Sequence, residues 1–533
     1  MEVDCIAFRE IGYFSELICD YLDKKDELKP FYNRTAELDN FKAQIEEKAK
    51  NFPLANRKVL VAALKNQYKG IETSEDTLNN ITSLANKNTF TIITGHQLNL
   101  FTGPLYFLYK IISTINLTEQ LKEAYPDFNF VPVYWMATED HDFDEINYFN
   151  HKGKKVHWNT KASGGVGRLS TESLETVFKI ITSEFGDTDN AIFLKELFKN
   201  SYLKNETLTN ATCFLANELF GKYGLVIIDG DDSTLKRLLL PYAKKDLFDH
   251  LPYKIVSKSI TELESISDKY KIQVNPREIN YFYLKDNIRE RIIEKEGVYL
   301  INNTTIQFTS NELEEELEKH PERFSPNVIA RPLYQEVILP NLCYIGGGGE
   351  LSYWLELKAY FKALDITFPM LLLRNSALVI TEKQSQKIDK LEVGLEDLFL
   401  KQNQLINKKI RKISNVDIDF STQKKHLEDQ FIAMYKIAEE TDKSFFGAVK
   451  AQEVKQKKGL DVLEKRLLKA QKKKLKDHVV RLTALQNQLF PNQSLQERQL
   501  NFSELYLMYG ANLIPSLKER LKPLQNKFVV LRY

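Results

Sequence analysis

The chain is poor in the residues that staple small folds. It has four cysteines in 533 residues, Cys5, Cys19, Cys213 and Cys343, at no pairable or metal-binding spacing. That excludes a disulfide scaffold and a cysteine–histidine zinc site. Reduced, mostly buried thiols in a cytoplasmic protein are the expectation. Net charge is scarce too: Lys+Arg 74 against Asp+Glu 73 leaves +1, so no global field draws in nucleic acid or a membrane. Long apolar runs are missing. The longest, such as FVPVYWMA, fall far short of the roughly 18 residues a spanning helix needs. The opening MEVDCIAFRE is acidic and lacks the basic-then-apolar pattern of a secretion signal. There is no GxGxxG and no P-loop lysine, which argues against a classical dinucleotide or Walker site.

What is present is a set of interrupted core signals. Residues 1–88 read mainly helical and join the core. At Thr89 the β-branched, aromatic run FTIITG begins, followed by glycine and a helical pattern from Pro104 to about Ala124. The next run, FVPVYWMAT, is apolar on both faces, as a central parallel strand is. Strand, helix, strand over 89–150 opens a doubly wound sheet. A polar stretch and amphipathic helices fill 151–220, a first insertion. YGLVIID restores core character in 221–234, and a charged second insertion spans 235–325. The last part of the core covers 326–382, with FPMLLL as a strand.

From 383 to 490 Lys, Glu, Gln and Leu dominate and proline is absent. Leu468, Leu475, Leu482 and Leu489 repeat every seventh residue, the signature of a coiled-coil seam. A helix over about 455–490 would span roughly 50 Å and project from the body. Its partner is the preceding helix folded back, a second subunit, or both. Residues 491–533 are expected to pack back on the body.

Four places hold candidate chemistry. Gly95, His96, Gln97 and Gly103 crowd the turn after the first strand, where an open α/β sheet binds its ligand. The following helix start offers N–H groups to a phosphate, and His96 is expected to donate to one. Glu139, Asp140, His141 and Asp142 follow the second strand; with Asp144 and Glu145 they call for something positive nearby, such as Mg²⁺, an ammonium or an arginine. IGGGGELSYW exposes backbone at Gly347 and Gly348 and starts a helix with Glu350. Asp229 closes YGLVIID, and Arg331 and Arg374 are cations suited to an anionic substrate.

Four motifs, GHQLNLFTGPLY, VYWMATEDHDFDEIN, ARPLYQEVILPNLCYIGGGGELSYW and PNQSLQERQLNF, occur in that order. Together they resemble the BshC family, the cysteine-adding enzymes of bacillithiol biosynthesis. The resemblance runs from about residue 90 to the C-terminus. It implies a Rossmann-like core similar to class I aminoacyl-tRNA synthetases, two connecting insertions, and a coiled coil that mediates dimerisation. It implies addition of cysteine to the amine of glucosaminyl-malate, with ATP and Mg²⁺ as expected cofactors. It also implies a soluble homodimer with small-molecule substrates only.

Glu139, Asp140, His141 and Asp142 are then the catalytic candidates, and Gly95, His96, Gln97 and Gly103 the nucleotide-binding ones. Asp229, Arg331, Gly347, Gly348, Glu350 and Arg374 are the substrate-binding candidates. The superfamily's His-x-Gly-His pattern is matched by Ile93-Thr94-Gly95-His96, with Ile for the first His, and its lysine-rich second signature has only a poor echo at 383–387. Other readings are a nucleotidyltransferase activating another small acid and a coiled-coil scaffold with a vestigial nucleotide core.

Overall fold

The computed structural model describes residues 2–441 and 443–533. Five parallel strands form the core sheet: Thr89–His96, Asn129–Met136, Val226–Asp229, Asn341–Gly346 and Met370–Leu373. Numbered along the chain, their order across the sheet is 3-2-1-4-5. That is the Rossmann order, and the direction of winding reverses between the first and fourth strands. Every residue of Thr89–His96 is buried, which is why FTIITG reads as continuously apolar. The helix after it, Tyr106–Ala124, is buried along most of its length, and between Leu105 and Leu117 it contains a single charge, Lys110.

Two interruptions separate the strands. The first holds the hairpin Tyr148–His151/Lys154–His157 and helices up to Phe220. The second carries an antiparallel five-stranded sheet that hydrophobic patterning did not signal. Its strand Ile288–Lys295 reads IRERIIEK and is only half-buried, so charges occupy the positions that alternation would make apolar.

The chain's two ends meet. Glu2–Ile6 pairs antiparallel with Phe528–Arg532, which pairs in parallel with Ala377–Ile380.

The helical region differs from the single long rod expected. Lys443–Lys474 and Lys476–Leu489 are separate helices, broken at Leu475. Lys443–Lys474 lies antiparallel to Ser421–Glu439: Lys424 pairs with Glu464, Lys457 with Glu428, and the Tyr435 hydroxyl donates to Glu453. The leucine stripe does not face that helix. Leu482 and Leu489 are buried in the main core, and Leu468 and Leu475 pack against it. Heptad spacing identified a narrow apolar stripe correctly, and the body of the same chain covers it.

Candidate active site

Gly95 and His96 end the first strand beside Trp135 and Met136 of the second. The chain then turns sharply, with φ of +48° at Phe101, +67° at Thr102 and +59° at Gly103. A Cβ on Gly103 would stand 2.5 Å from that of Asn99, so the turn itself requires this glycine. The C-terminal motif clasps the turn. Asn501 donates to the carbonyls of Phe101 and Gly103 at 2.7 and 2.6 Å, and the Leu105 N–H donates to the Leu500 carbonyl at 2.7 Å. Leu105 N–H is therefore spent within the chain and is not free for a phosphate.

A chamber of about 300 Å³ opens at the reversal point, between the ends of the first and fourth strands. Lys110 crosses its floor, donating to the Gly95 carbonyl at 2.6 Å and pairing with Glu350 at 2.6 Å. The Tyr344 hydroxyl and the Gly347 N–H also donate to Glu350. Burial opposes charge on both partners and pulls the lysine down. For Glu350, Lys110 and the two further donors outweigh burial and hold the carboxyl below its usual range. A Cβ on Gly95 would approach the Tyr344 hydroxyl to 3.3 Å, so glycine there lets the strand pass close to this cluster.

His96 is 7% exposed and lines the same chamber. Its ring meets Tyr106 edge-on at 5.5 Å and Phe107 at 5.0 Å. Its Nε2 is buried with no hydrogen-bond partner among the described residues. Burial first, then the charges of Lys110 and Arg374, holds the imidazole well below its usual range.

The acidic loop borders a second chamber of about 600 Å³. Gln97 ties the two regions together by donating to Asp140 at 2.9 Å and Glu145 at 3.0 Å. His141 lies 3.6 Å from Asp140 and 3.8 Å from Asp142, and its Nδ1 meets Arg289 Nη1 at 2.5 Å. Arg289 itself stacks 4.1 Å over Phe282. Ligand atoms of Asp140, His141 and Asp142 lie within 4.8 Å of one another. The guanidinium against His141 already supplies the positive charge this cluster needs, and it opposes a resident metal ion.

Glu139 is tied down by Lys236, which also pairs with Asp231 at 3.1 Å, while Arg168 pairs with Asp231 at 2.8 Å. Burial and the Asp231 charge push the Glu139 carboxyl up to about 7 against the pull of Lys236. Both chambers share Trp135, Ala137 and Arg331. The Arg331 guanidinium lies 5.9 Å from the Trp135 ring and 5.8 Å from that of Tyr344, and it bonds Gln335. It forms no ion pair among the described residues.

The structure thus gathers Gly95, His96, Gln97, Glu139, Asp140, His141, Asp142, Arg331 and Glu350 around one double cavity. Five candidates do not line it. Gly103 shapes the turn. Asp229 accepts from the Thr138 hydroxyl and the Asp231 N–H behind the acidic loop. Arg374 is 3% exposed and paired with Glu497 at 2.8 Å, a clasp between core and C-terminus. Gly347 is bonded to Glu350, and Gly348 packs toward Phe14 and Ile18. Sequence reasoning missed Lys110, Arg289 and Lys236. Lys110 carried a signal, as the lone charge in an apolar run. Arg289 and Lys236 carried none, since each reaches the site from a distant part of the chain.

Two family models cover the chain. "Bacillithiol biosynthesis BshC, N-terminal Rossmann-like domain" matches residues 1–375, and "Bacillithiol biosynthesis BshC, C-terminal coiled-coil domain" matches 377–533. Two similar relatives carry the name "Putative cysteine ligase BshC". The protein from Christiangramia forsetii is 59% identical over 100% of this chain and 99% of its own. That from Flavobacterium johnsoniae is 60% identical over 100% of both. A solved Campylobacter jejuni structure, named as a putative arginyl-tRNA synthetase, aligns with 85% of this chain and 100% of its own. Its identity is 11% and its TM-score 0.22, too slight a likeness to bear on this fold. Family models over both halves and near-60% identity along the whole length establish the kinship: the chain belongs to the BshC family of bacillithiol biosynthesis, a ligase family.

Proposed function

We propose that the chain is an ATP-dependent ligase joining the carboxyl group of L-cysteine to the amine of glucosaminyl-malate, the bond that completes bacillithiol. A carboxylate does not acylate an amine unaided at neutral pH. It must first become an acyl-adenylate or acyl-phosphate, and then be held against the nucleophile with water excluded. The observation that carries the reading is the double cavity at the reversal point of the sheet, with two chambers meeting at Trp135, Ala137 and Arg331. Such a shape brings an acyl donor and an amine together from opposite sides.

The larger chamber suits anions. Arg277, Arg289 and Arg331 line it, and none of them forms a salt bridge among the described residues. A triphosphate and the malate carboxylates are ligands of that kind. Magnesium enters this reading as the companion of ATP, carried on the triphosphate oxygens. A cytoplasmic setting, where cysteine and ATP are both at hand, belongs to the same reading.

A homodimer through the helical hairpin belongs to it as well. Ile432, Ile437, Val454 and Leu463 are 56%, 59%, 46% and 52% exposed on that hairpin, an apolar surface that a second copy would cover.

The test is product formation. The full chain is incubated with Mg²⁺-ATP, cysteine and glucosaminyl-malate, and bacillithiol is sought by mass spectrometry. AMP with pyrophosphate marks an adenylate, ADP with phosphate an acyl-phosphate. Nucleotide turnover with a different small acid, and none with cysteine, would replace this reading with the nucleotidyltransferase one. Neither turnover nor product would leave the scaffold reading.

A further inference from the structure

We propose that Arg331 grips the reacting carboxylate of the acyl donor where the two chambers meet, and that Gln335 is the positioning residue that holds its guanidinium there. This rests on the ligase reading above and names the side chain that holds the group common to both halves of the reaction.

The argument starts from charge. A guanidinium keeps its proton at any pH a folded protein tolerates, so a half-buried arginine cannot shed its charge and calls for an anion. Lys110, the other cation lining the smaller chamber, is already matched by Glu350 at 2.6 Å. Arg331 has no such carboxylate among the described residues. It lines both chambers, and beside Trp135 and Ala137, which also line both, it is the charged member.

Hydrogen bonds then fix where the guanidinium lies. Arg331 and Gln335 stand one turn apart on the helix Ala330–Ile338, and Arg331 Nη1 donates to Gln335 Oε1 at 3.1 Å. The amide cannot be turned round, because its Nε2 donates to Glu336 at 3.0 Å and a carboxylate only accepts. Glu336 is pinned in turn by Lys48 at 2.8 Å and Asn341 at 2.6 Å, and all four of these supporting side chains are buried. A fixed oxygen thus holds one edge of the arginine, with the Trp135 and Tyr344 rings 5.9 and 5.8 Å away.

The acyl group is the ligand that this place suits. Its carboxyl meets a phosphate of ATP in the first half of the reaction and the amine in the second, so it belongs where both chambers open. Two carboxylate oxygens match the paired N–H groups of a guanidinium. Arg277 and Arg289 line the larger chamber alone and remain for anions that enter from that side.

The experiment titrates the full chain with L-cysteine by isothermal calorimetry, with and without Mg²⁺ and β,γ-methylene-ATP. Cysteamine, which has the thiol and amine of cysteine and no carboxylate, is the control. Wild-type protein should bind cysteine and not cysteamine. Arg331→Met should weaken cysteine about 10–100-fold, and Arg331→Lys, which keeps the charge and loses the fork, should weaken it less. Circular dichroism checks the fold, and Arg331→Lys carries the test if the methionine variant unfolds. In the bacillithiol assay Gln335→Met should raise KM for cysteine about 10-fold and leave KM for ATP and for glucosaminyl-malate within about twofold, whereas a packing defect would move all three. Equal binding of cysteamine overturns the assignment. So does unchanged cysteine affinity in the Arg331 variants, or a loss that falls on glucosaminyl-malate instead; bacillithiol made by wild-type protein then keeps the ligase reading alive without this clamp. Unchanged KM for cysteine in Gln335→Met overturns the positioning role. If cysteine binding requires Arg331 and wild-type protein makes no bacillithiol, the clamp stands and the ligase reading alone falls.

Discussion

Lys110 is the one charge in the buried stretch of its helix, and its removal tests whether the chamber floor is built as an ion pair. Its side chain is 3% exposed and that of Glu350 26%. Taking away one partner of a buried pair costs about 3–5 kcal/mol, because the other is left charged in a poor solvent. In Lys110→Met the abandoned Glu350 keeps its bonds from Tyr344 and Gly347 and some contact with water, which places the cost near 3 kcal/mol, at the lower end. In Glu350→Gln the abandoned Lys110 keeps only the Gly95 carbonyl and has almost no water, so about 4 kcal/mol is expected. The double variant removes both charges and should cost about 3–4 kcal/mol, well below the sum of the singles.

The assay is urea unfolding followed by tryptophan fluorescence, since Trp354 stacks 4.6 Å from Tyr344 beside the pair. The coupling energy from the cycle should reach about 2 kcal/mol or more. Additive singles, or a Lys110→Met variant within about 1 kcal/mol of wild type, would refute the ion-pair account of the floor.

Three further outcomes are expected. Glu356 is 1% exposed with one carboxyl oxygen unpartnered, and burial raises it to about 8. The folded chain then holds a proton that the unfolded chain releases, so stability falls between pH 4.5 and 8, by at most about 5 kcal/mol; Glu356→Gln should flatten that slope in urea titrations at several pH values. Gly103→Ala forces a side chain into φ +59° and against Asn99, and should cost about 1–3 kcal/mol in the same assay. Leu482→Ala should cost about 2–5 kcal/mol with no change in oligomeric state by light scattering, because the body of its own chain covers this leucine; Ile432→Lys with Ile437→Lys should instead give a folded monomer, and a variant that stays dimeric would remove the hairpin from the subunit contact.

The core strands were legible because burial on both faces leaves an unmistakable composition. FTIITG and FVPVYWMA contain almost nothing else, and each became a central strand. The leucine stripe was legible as a stripe and not as an interface. Spacing says that one narrow face of a helix is apolar, and says nothing about which surface covers it. The second insertion's sheet was illegible for a different reason: the strand Ile288–Lys295 places charges on both of its faces and has no strict alternation, so neither face reads as core.

The site divided along the same line. Residues adjacent in sequence to a core strand, Gly95 to Gln97 and Glu139 to Asp142, were found because the architecture fixes where such loops must lie. Residues that act on them from a distance were not. Lys236 anchors Glu139 from 97 positions away, Arg289 meets His141 across 148, and Asn501 holds the Gly103 carbonyl across 398. The C-terminal motif shows what was lost. PNQSLQERQLNF stood out as a motif with no local chemistry to assign. In the fold its Gln496 bonds Val379, its Glu497 neutralises Arg374, and its Asn501 closes the turn beside His96. A helical appendage that ends in such a clasp is tied to the turn beside the chamber by covalent continuity. Substitutions in 496–501 should therefore disturb the chamber before they disturb the hairpin.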